Sequence, residues 1–335
     1  VDFSEADAVT TVKSPGSVLG DTLVLSQSKL DSFAKCPYSY YVKYLLELQE
    51  PAEGDVNRAD MGTFIHAILE KLIPTFVDAE TGRKVLPSTQ EMNDRIRAIA
   101  KDYINKLQIP LPYMTAGLSH TFEKMTQVAG VMAEGIRKEL MDCAFTPSAF
   151  EMAVGGDARS APFSYLLSDN RKVVFKGVID RLDTVRIGET TYFRVVDYKT
   201  GDKKFDLKKI AEGLDMQLPL YLSGLFDGKS VTGIPAGAYY LTAIEDGGKL
   251  TVKRSGFALN NADVTAACGD VTFAKGDTLL SEAAMTSLLD ETRDRLLSVA
   301  DRIYRGEFPK TPGEDACRFC PIAGSCLQAV RKHDN

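Results

Sequence analysis

Asp197 and Lys199 stand two residues apart in the run Tyr192-Phe-Arg-Val-Val-Asp-Tyr-Lys-Thr-Gly201, which reads as a β-strand. Side chains on a strand alternate between faces, so this carboxylate and this ammonium point the same way, roughly 6.5 to 7 Å apart along the chain. A second acid, Asp180, ends the apolar run Phe175-Lys-Gly-Val-Ile-Asp180. The stretch Thr184 to Tyr192, with Gly188, is short enough to be a hairpin connection laying one strand beside the other. Converging carboxylates repel, and one takes up a proton unless a cation lies between them. A divalent ion removes that conflict. Hard oxygen ligands favour Mg²⁺ or Mn²⁺, which also accept phosphate oxygens. Lys199 can then orient or deprotonate a water and offset charge growing on a phosphate. The chemistry implied is metal-assisted hydrolysis of a phosphodiester.

Other residues could join this group. Met61, Phe64, Ile65, Ile68, Leu69, Leu72 and Ile73 recur at helical spacing and leave His66 at the margin of the buried stripe, where an imidazole can reach a cleft. Gln217 and Tyr221 are four apart, hence on one helical face, with Pro219 near the first turn where a missing N–H matters least. Glu151, in Ala149-Phe-Glu-Met-Ala-Val154, is either a further acid on an adjacent strand or a solvated strand glutamate.

Cys317, Cys320 and Cys326 form a Cys-x2-Cys-x5-Cys cluster, too tight for a disulfide framework in a chain of 335 residues. They read as metal ligands, and Cys36 is the candidate fourth. Spacing alone leaves zinc and an iron–sulfur cluster both open. Cys143 and Cys268 have no partner at ligand spacing and are expected to pack as small hydrophobes.

The elements that position these groups follow from periodicity. Residues 1–20 read as a linker and 21–335 as one domain, with a helical insertion at 76–145 and a cysteine region at 305–335. Helices are expected from Ser26 to Glu50, Asp60 to Phe76, Glu91 to Cys143, through Gln217, and from Glu282 to Tyr304. Strands are expected from Phe150 to Asp197, at Gly237 to Leu241, and within Leu250 to Phe273. A hydrophobic content of 44% supports a substantial core. No stretch is apolar enough to span a bilayer and no signal peptide is evident, so a cytoplasmic setting with reduced thiols is expected. The formal charge of −6 argues against a protein that coats DNA. Local charge differs: Lys203, Lys204, Lys208 and Lys209 follow Lys199, and Arg171, Lys172, Lys176 and Arg181 flank Asp180, enough to line a strand channel. The chain starts at Val1 and carries no G-x-x-x-x-G-K-[ST] phosphate loop, which suggests an excised C-terminal domain without helicase chemistry of its own.

Taken together, Gly62-Thr-Phe-Ile-His66, Asp180, Asp197-Tyr-Lys199 and Gln217-Leu-Pro-Leu-Tyr221 resemble the PD-(D/E)xK nuclease superfamily in its RecB-like branch. Ile179 replaces the proline of the name pattern, at a position that varies in the branch. The resemblance implies a restriction-endonuclease-like α/β fold: a mixed central sheet flanked by helices, with an added helical lobe. It implies that His66, Asp180 and Asp197 ligate Mg²⁺ or Mn²⁺, that Lys199 is catalytic, and that Gln217 and Tyr221 contact DNA backbone or position Lys199. The distant-plus-clustered cysteines resemble the iron–sulfur nucleases of this branch, including the nuclease domain of AddB-type helicase–nuclease subunits. There a [4Fe-4S] cluster, here on Cys36, Cys317, Cys320 and Cys326, joins the two ends of the domain. The implied substrate is DNA, as single strands unwound by a helicase partner subunit. A non-catalytic scaffold domain and a CRISPR-associated nuclease are the competing readings.

Overall fold

The computed structural model describes residues 19–48, 58–109, 113–155, 163–228, 230–271, 273–313, 316–318, 320, 322, 323 and 326. The expected linker at 1–20 lies almost wholly outside the described residues. In chain order the strands are β1 (Thr22–Leu25), β2 (Thr146–Val154), β3 (Ser164–Leu166), β4 (Lys172–Phe175), β5 (Gly177–Ile187), β6 (Thr190–Thr200), β7 (Ile234–Asp246), β8 (Lys249–Leu259) and β9 (Leu279–Leu280). The helices are α1 (Gln27–Lys35), α2 (Pro37–Tyr40), α3 (Arg58–Leu72), α4 (Thr89–Lys106), α5 (Ala116–Asp142), α6 (Leu207–Ala211), α7 (Gln217–Asp227), α8 (Ala262–Ala267) and α9 (Glu282–Tyr304).

A six-stranded sheet runs β2-β5-β6-β7-β8-β9, parallel at β6/β7 and β8/β9 and antiparallel elsewhere. A smaller sheet, β1-β4-β3, lies apart from it in the hydrogen-bond ladder. Helix α7 packs on β6 and β7; α5 packs on β7 and β8. Helix α3 bridges α4, α5 and β6. This is the expected restriction-endonuclease-like arrangement, a mixed sheet flanked by helices, with α4 and α5 forming the helical lobe.

Three boundaries differ from the sequence expectation. The first helix is broken at Cys36, whose extended backbone (φ −163°, ψ 109°) follows from Pro37 disfavouring helical geometry in the preceding residue. The chain resumes as α2 and widens into a π-turn at Tyr41–Leu45. The helical insertion likewise splits into α4 and α5, as Gln108 takes a left-handed φ of 50° just before Pro110 and Pro112. The β5–β6 connection is tighter than expected: only Gly188, at φ 60°, and Glu189 separate the strands, so the ladder already closes at Ile187 and Thr190.

Candidate active site

The register sets the site. Antiparallel pairing of β5 with β6 ends at Arg181 opposite Val196, and one further step places Asp180 opposite Asp197. Pairing of β2 with β5 sets Phe150 against Arg181 and Met152 against Ile179, so Glu151 faces Asp180. Three carboxylates thus lie in a row across β2, β5 and β6. Glu151 adopts a φ of 44°, a left-handed conformation costing a non-glycine residue about 1–2 kcal/mol.

Where the β5–β6 ladder stops, side chains take over its backbone groups. Asp180 Oδ2 accepts the Tyr198 N–H at 2.5 Å, and the Tyr198 carbonyl accepts from His66 Nε2 at 2.8 Å. Because a carbonyl cannot donate, Nε2 carries the proton in the neutral ring and Nδ1 keeps its lone pair. That Nδ1 lies 3.4 Å from Asp180 Oδ1. Burial alone would lower the His66 pKa, but the hydrogen bond that the protonated ring can donate from Nδ1 to Asp180, with the charges of Asp180 and Asp197, outweighs burial and raises it.

Asp197 is buried, and burial pushes its carboxyl pKa up against the pull of Lys199. Its Oδ2 ion-pairs with Lys199 Nζ, and its Oδ1 accepts from Gln217 Nε2 at 2.8 Å. Gln217 Nε2 also donates to Tyr221 Oη at 3.1 Å, and Tyr221 Oη accepts the Val178 N–H of β5 at 3.2 Å. Gln217 and Tyr221 therefore brace Asp197 and the start of β5; among the described residues their hydrogen bonds reach Lys199 through Asp197. Tyr221 crosses the backbone at Gly177, where an added Cβ would sit 2.5 Å from the Tyr221 oxygen.

Ligand atoms of His66, Glu151 and Asp180 lie within 4.8 Å of one another. Glu151 is thus the acid grouped with His66 and Asp180, while Asp197, the ligand that the resemblance implies beside them, is turned toward Lys199 and Gln217. Glu151 is half-buried, with its Oε1 buried and making no hydrogen bond among the described residues. Burial, with the charges of Asp180 and Glu70, pushes its pKa up to about 7. Glu70 follows His66 by one helical turn.

The flanking basic residues divide. Lys172, Lys176, Lys204, Lys208 and Lys209 are exposed, and Lys203 pairs with Asp215. Arg171 bonds Asp169 and lies 3.8 Å from the centre of the Tyr304 ring. Arg181 does not line a channel: it is fully buried on the opposite face of the sheet, as strand alternation from Asp180 requires.

At the other end of the domain, Cys36, Cys317, Cys320 and Cys326 line one small cavity together with Tyr38, Ser39 and Lys310. The C-terminal segment is tied there by the Gly313 N–H donating to Lys35 O at 2.8 Å and by Cys320 Sγ at 3.7 Å from Ser39 Oγ. Among the described residues no three of these sulfurs come within 4.8 Å of one another. Cys143 and Cys268 are buried as expected, yet each touches a charge, with sulfurs 3.8 and 3.9 Å from the Arg194 guanidinium.

Residues 24–327 match the PD-(D/E)XK nuclease superfamily. The chain belongs to this superfamily. As a PD-(D/E)XK protein it is similar to an ATP-dependent helicase/deoxyribonuclease subunit of Caldanaerobacter subterraneus, at 24% identity over 346 aligned positions covering 92% of this chain and 30% of that protein. The corresponding protein from Moorella thermoacetica is 28% identical over 91% of this chain and 30% of its own length. That from Pediococcus pentosaceus is 30% identical over 61% of this chain and 17% of its own. The PD-(D/E)XK chain thus spans less than a third of the curated relatives it matches.

Proposed function

We propose that this domain is a divalent-metal-dependent deoxyribonuclease that cuts single-stranded DNA delivered by a helicase partner during double-strand-break processing. The observation that carries the reading is the row Glu151, Asp180 and Asp197, flanked by the His66 Nδ1 lone pair on one side and the Lys199 ammonium on the other. The donor set suits Mg²⁺ or Mn²⁺, being rich in carboxylate oxygen, with one carboxylate oxygen buried and unbonded. Asp180, Glu151 and His66 are the residues to hold such an ion, with Asp197 adjacent. A divalent ion bound there supplies polarisation of the phosphate and a more acidic water.

The chain's own groups do the rest. Asp180 is oriented by the Tyr198 N–H and His66 by the Tyr198 carbonyl, so one residue's backbone aligns two ligands. Gln217 fixes Asp197, which in turn holds Lys199 at the mouth of the site to orient water and balance charge on the phosphate. An intact acid, lysine and imidazole set argues against a decayed scaffold domain. The helicase partner and the DNA substrate are suggested by the names of the relatives.

The decisive test is cleavage of an end-labelled single-stranded oligonucleotide in Mg²⁺, repeated with excess chelator. Cutting should require the ion; cutting that persists undiminished in chelator would refute the metal reading. The geometry at Gly177 gives a second expectation. Gly177→Ala should displace the buried Tyr221 and lower the unfolding temperature by a few degrees through overpacking. At temperatures where the variant is still folded, it should slow cleavage by about tenfold to a hundredfold from misalignment of Asp197. An unaltered rate would show that Tyr221 is not needed.

Glu151 should show the opposite effects of site chemistry on stability and binding. A carboxyl whose folded pKa is raised from 4.5 to about 7 contributes stability below pH 4.5 that is lost as pH rises to 7. Without metal at pH 8, Glu151→Gln should therefore unfold a few degrees higher than the unaltered chain. The gain should vanish near pH 4, and the rise in unfolding temperature caused by Mn²⁺ should shrink. Calorimetric scans at the two pH values, with and without Mn²⁺, decide this.

We further propose a [4Fe-4S] cluster on Cys36, Cys317, Cys320 and Cys326, consistent with a cytoplasmic setting that keeps thiols reduced. A mononuclear zinc with Zn–S bonds near 2.3 Å gathers its sulfurs to about 3.8 Å from one another. The four thiols share one cavity at the junction of the two ends of the domain, where the resemblance to the iron–sulfur nucleases of this branch implies a cluster whose ligands bind separate irons. Its role is structural, since hydrolysis moves no electrons.

A further inference from the structure

The reverse face of the catalytic strands carries a buried ionic network that the proposed chemistry leaves unused. Glu139 of α5 and Asp183 of β5 meet Arg181 of β5, Arg194 of β6 and Arg254 of β8: two anions against three cations. Four of these side chains are wholly buried and Arg254 is 15% exposed. Glu139 Oε1 accepts from Arg181 at 2.8 Å, from Arg194 at 2.7 Å and from Tyr239 Oη of β7 at 2.5 Å; its Oε2 accepts from Arg254 Nε at 2.8 Å. Asp183 joins only β5 and β6, through Arg181 and Arg194. Among the described residues, Glu139 is the carboxylate that bonds side chains from all four strands β5, β6, β7 and β8. Burial alone would raise its pKa, but the three guanidiniums and the Tyr239 hydroxyl hold it down at about 2, so it stays charged.

A network of this kind is poor as a stability device, because well-packed apolar residues often replace buried ion pairs without loss. Its position suggests another role. Arg181 directly follows Asp180, and strand alternation sends the two side chains to opposite faces. Tyr198, whose backbone holds both Asp180 and His66, projects its ring to the Arg181 side, between Asp197 and Lys199 in sequence. The β5–β6 ladder ends at Arg181 and Val196, so no backbone bond of that ladder fixes the strands at the acids themselves. Rotation of β5 about its axis at Arg181 swings Asp180 the opposite way. On its outer edge β5 is held by the β2 ladder, which runs past Asp180 with Phe150 opposite Arg181 and Met152 opposite Ile179. On the β6 side the rotation is restrained by the Asp180–Tyr198 hydrogen bond and by the grip of Glu139 and Asp183 on the Arg181 guanidinium.

We propose that Glu139 is a positioning residue for the active site: through Arg181 and Arg194 it sets the orientation of the strands that present Asp180 and Asp197 to the divalent ion. The inference rests on the metal-dependent nuclease reading. In the full chain, Glu139→Gln keeps the volume and one acceptor but loses the charge. At a temperature where circular dichroism shows the variant folded, its Mn²⁺ dissociation constant should rise by about tenfold or more, the usual cost of losing a group that orients a metal ligand. The kcat on a single-stranded oligonucleotide should fall in parallel, with KM changed less than about twofold, since metal positioning acts on the transition state. A folded Glu139→Gln protein with unaltered Mn²⁺ affinity and kcat would overturn the proposal and leave the network purely structural. Should that variant fail to fold, Tyr239→Phe removes a single hydroxyl from Glu139, and it must weaken Mn²⁺ binding in the same direction; unchanged binding there overturns the proposal equally. If the unaltered chain takes up no Mn²⁺ by titration calorimetry, the metal reading falls and this inference with it. Uptake by the unaltered chain matched by Glu139→Gln removes this inference alone.

Discussion

Changing Asp197 to Asn should leave the chain folded and reduce Mg²⁺-dependent cleavage of single-stranded DNA by about three orders of magnitude or more. The asparagine keeps an oxygen for Gln217 Nε2, which now bonds Asp197 Oδ1 at 2.8 Å, so the brace through Tyr221 survives. It removes a charge whose burial is unfavourable, as the raised pKa of Asp197 records, and the metal-free protein should lose little stability. What disappears is the partner that holds the Lys199 ammonium and the negative charge beside the proposed ion. Two effects then act together: weaker attraction for the divalent ion and a lysine free to leave the mouth of the site. Single-turnover rates for the two proteins, taken at saturating Mg²⁺, separate them. A rate within tenfold of the unaltered chain would sink the assignment of Asp197, and an unfolded variant would appear as lost ellipticity.

Cys36→Ser should have the largest effect on stability. Cys36 and Cys317 are 281 positions apart (317 minus 36), and a link closing so long a loop removes conformational entropy from the unfolded chain worth about 5 kcal/mol in the loop-closure picture. Apart from the cluster ligands, the described contacts holding the C-terminal segment to α1 and α2 include one backbone hydrogen bond at Gly313, Lys310 over the Tyr38 ring at 4.9 Å, and Phe308 stacked on Tyr41 at 5.0 Å. Phe308 is fully buried against Phe33, Tyr40 and Tyr41, so these contacts hold the start of the segment, but none of them closes the long loop as the proposed cluster would. The variant is expected to lack iron, to unfold roughly 5–10 °C lower, and to be clipped by protease in the segment after α9. Iron and zinc counted in the same anaerobic preparation of the unaltered chain give the control. Stoichiometric zinc, or full stability in the serine variant, would overturn the cluster proposal.

How much of this was legible beforehand depends on which interactions are local. Alternation along β6 put Asp197 and Lys199 on one face from the sequence alone, and the short link at Gly188 brought Asp180 alongside; the ladder fixed both. Helical spacing likewise paired Gln217 with Tyr221 and left His66 at the edge of its stripe. These relations depend on periods of 2 and 3.6 that every chain obeys. Proline chemistry at Cys36 and near Gln108 was also local, but it was outweighed by apolar periodicity that ran across both breaks.

The sequence by itself determined the restriction-endonuclease-like class, the membership of the chain in its superfamily, and the set of side chains that share a strand or helix face. Only the tertiary structure decided that Glu151 faces Asp180, that Asp197 is turned to Lys199 and Gln217, and that Arg181 belongs to a buried network with Glu139. The reason is physical. Which face a residue occupies follows from the geometry of its own segment, whereas partners brought from β2 to β5, or from α5 to β5, β6, β7 and β8, are set by long-range register and by packing in which each buried charge must find its counter-charge.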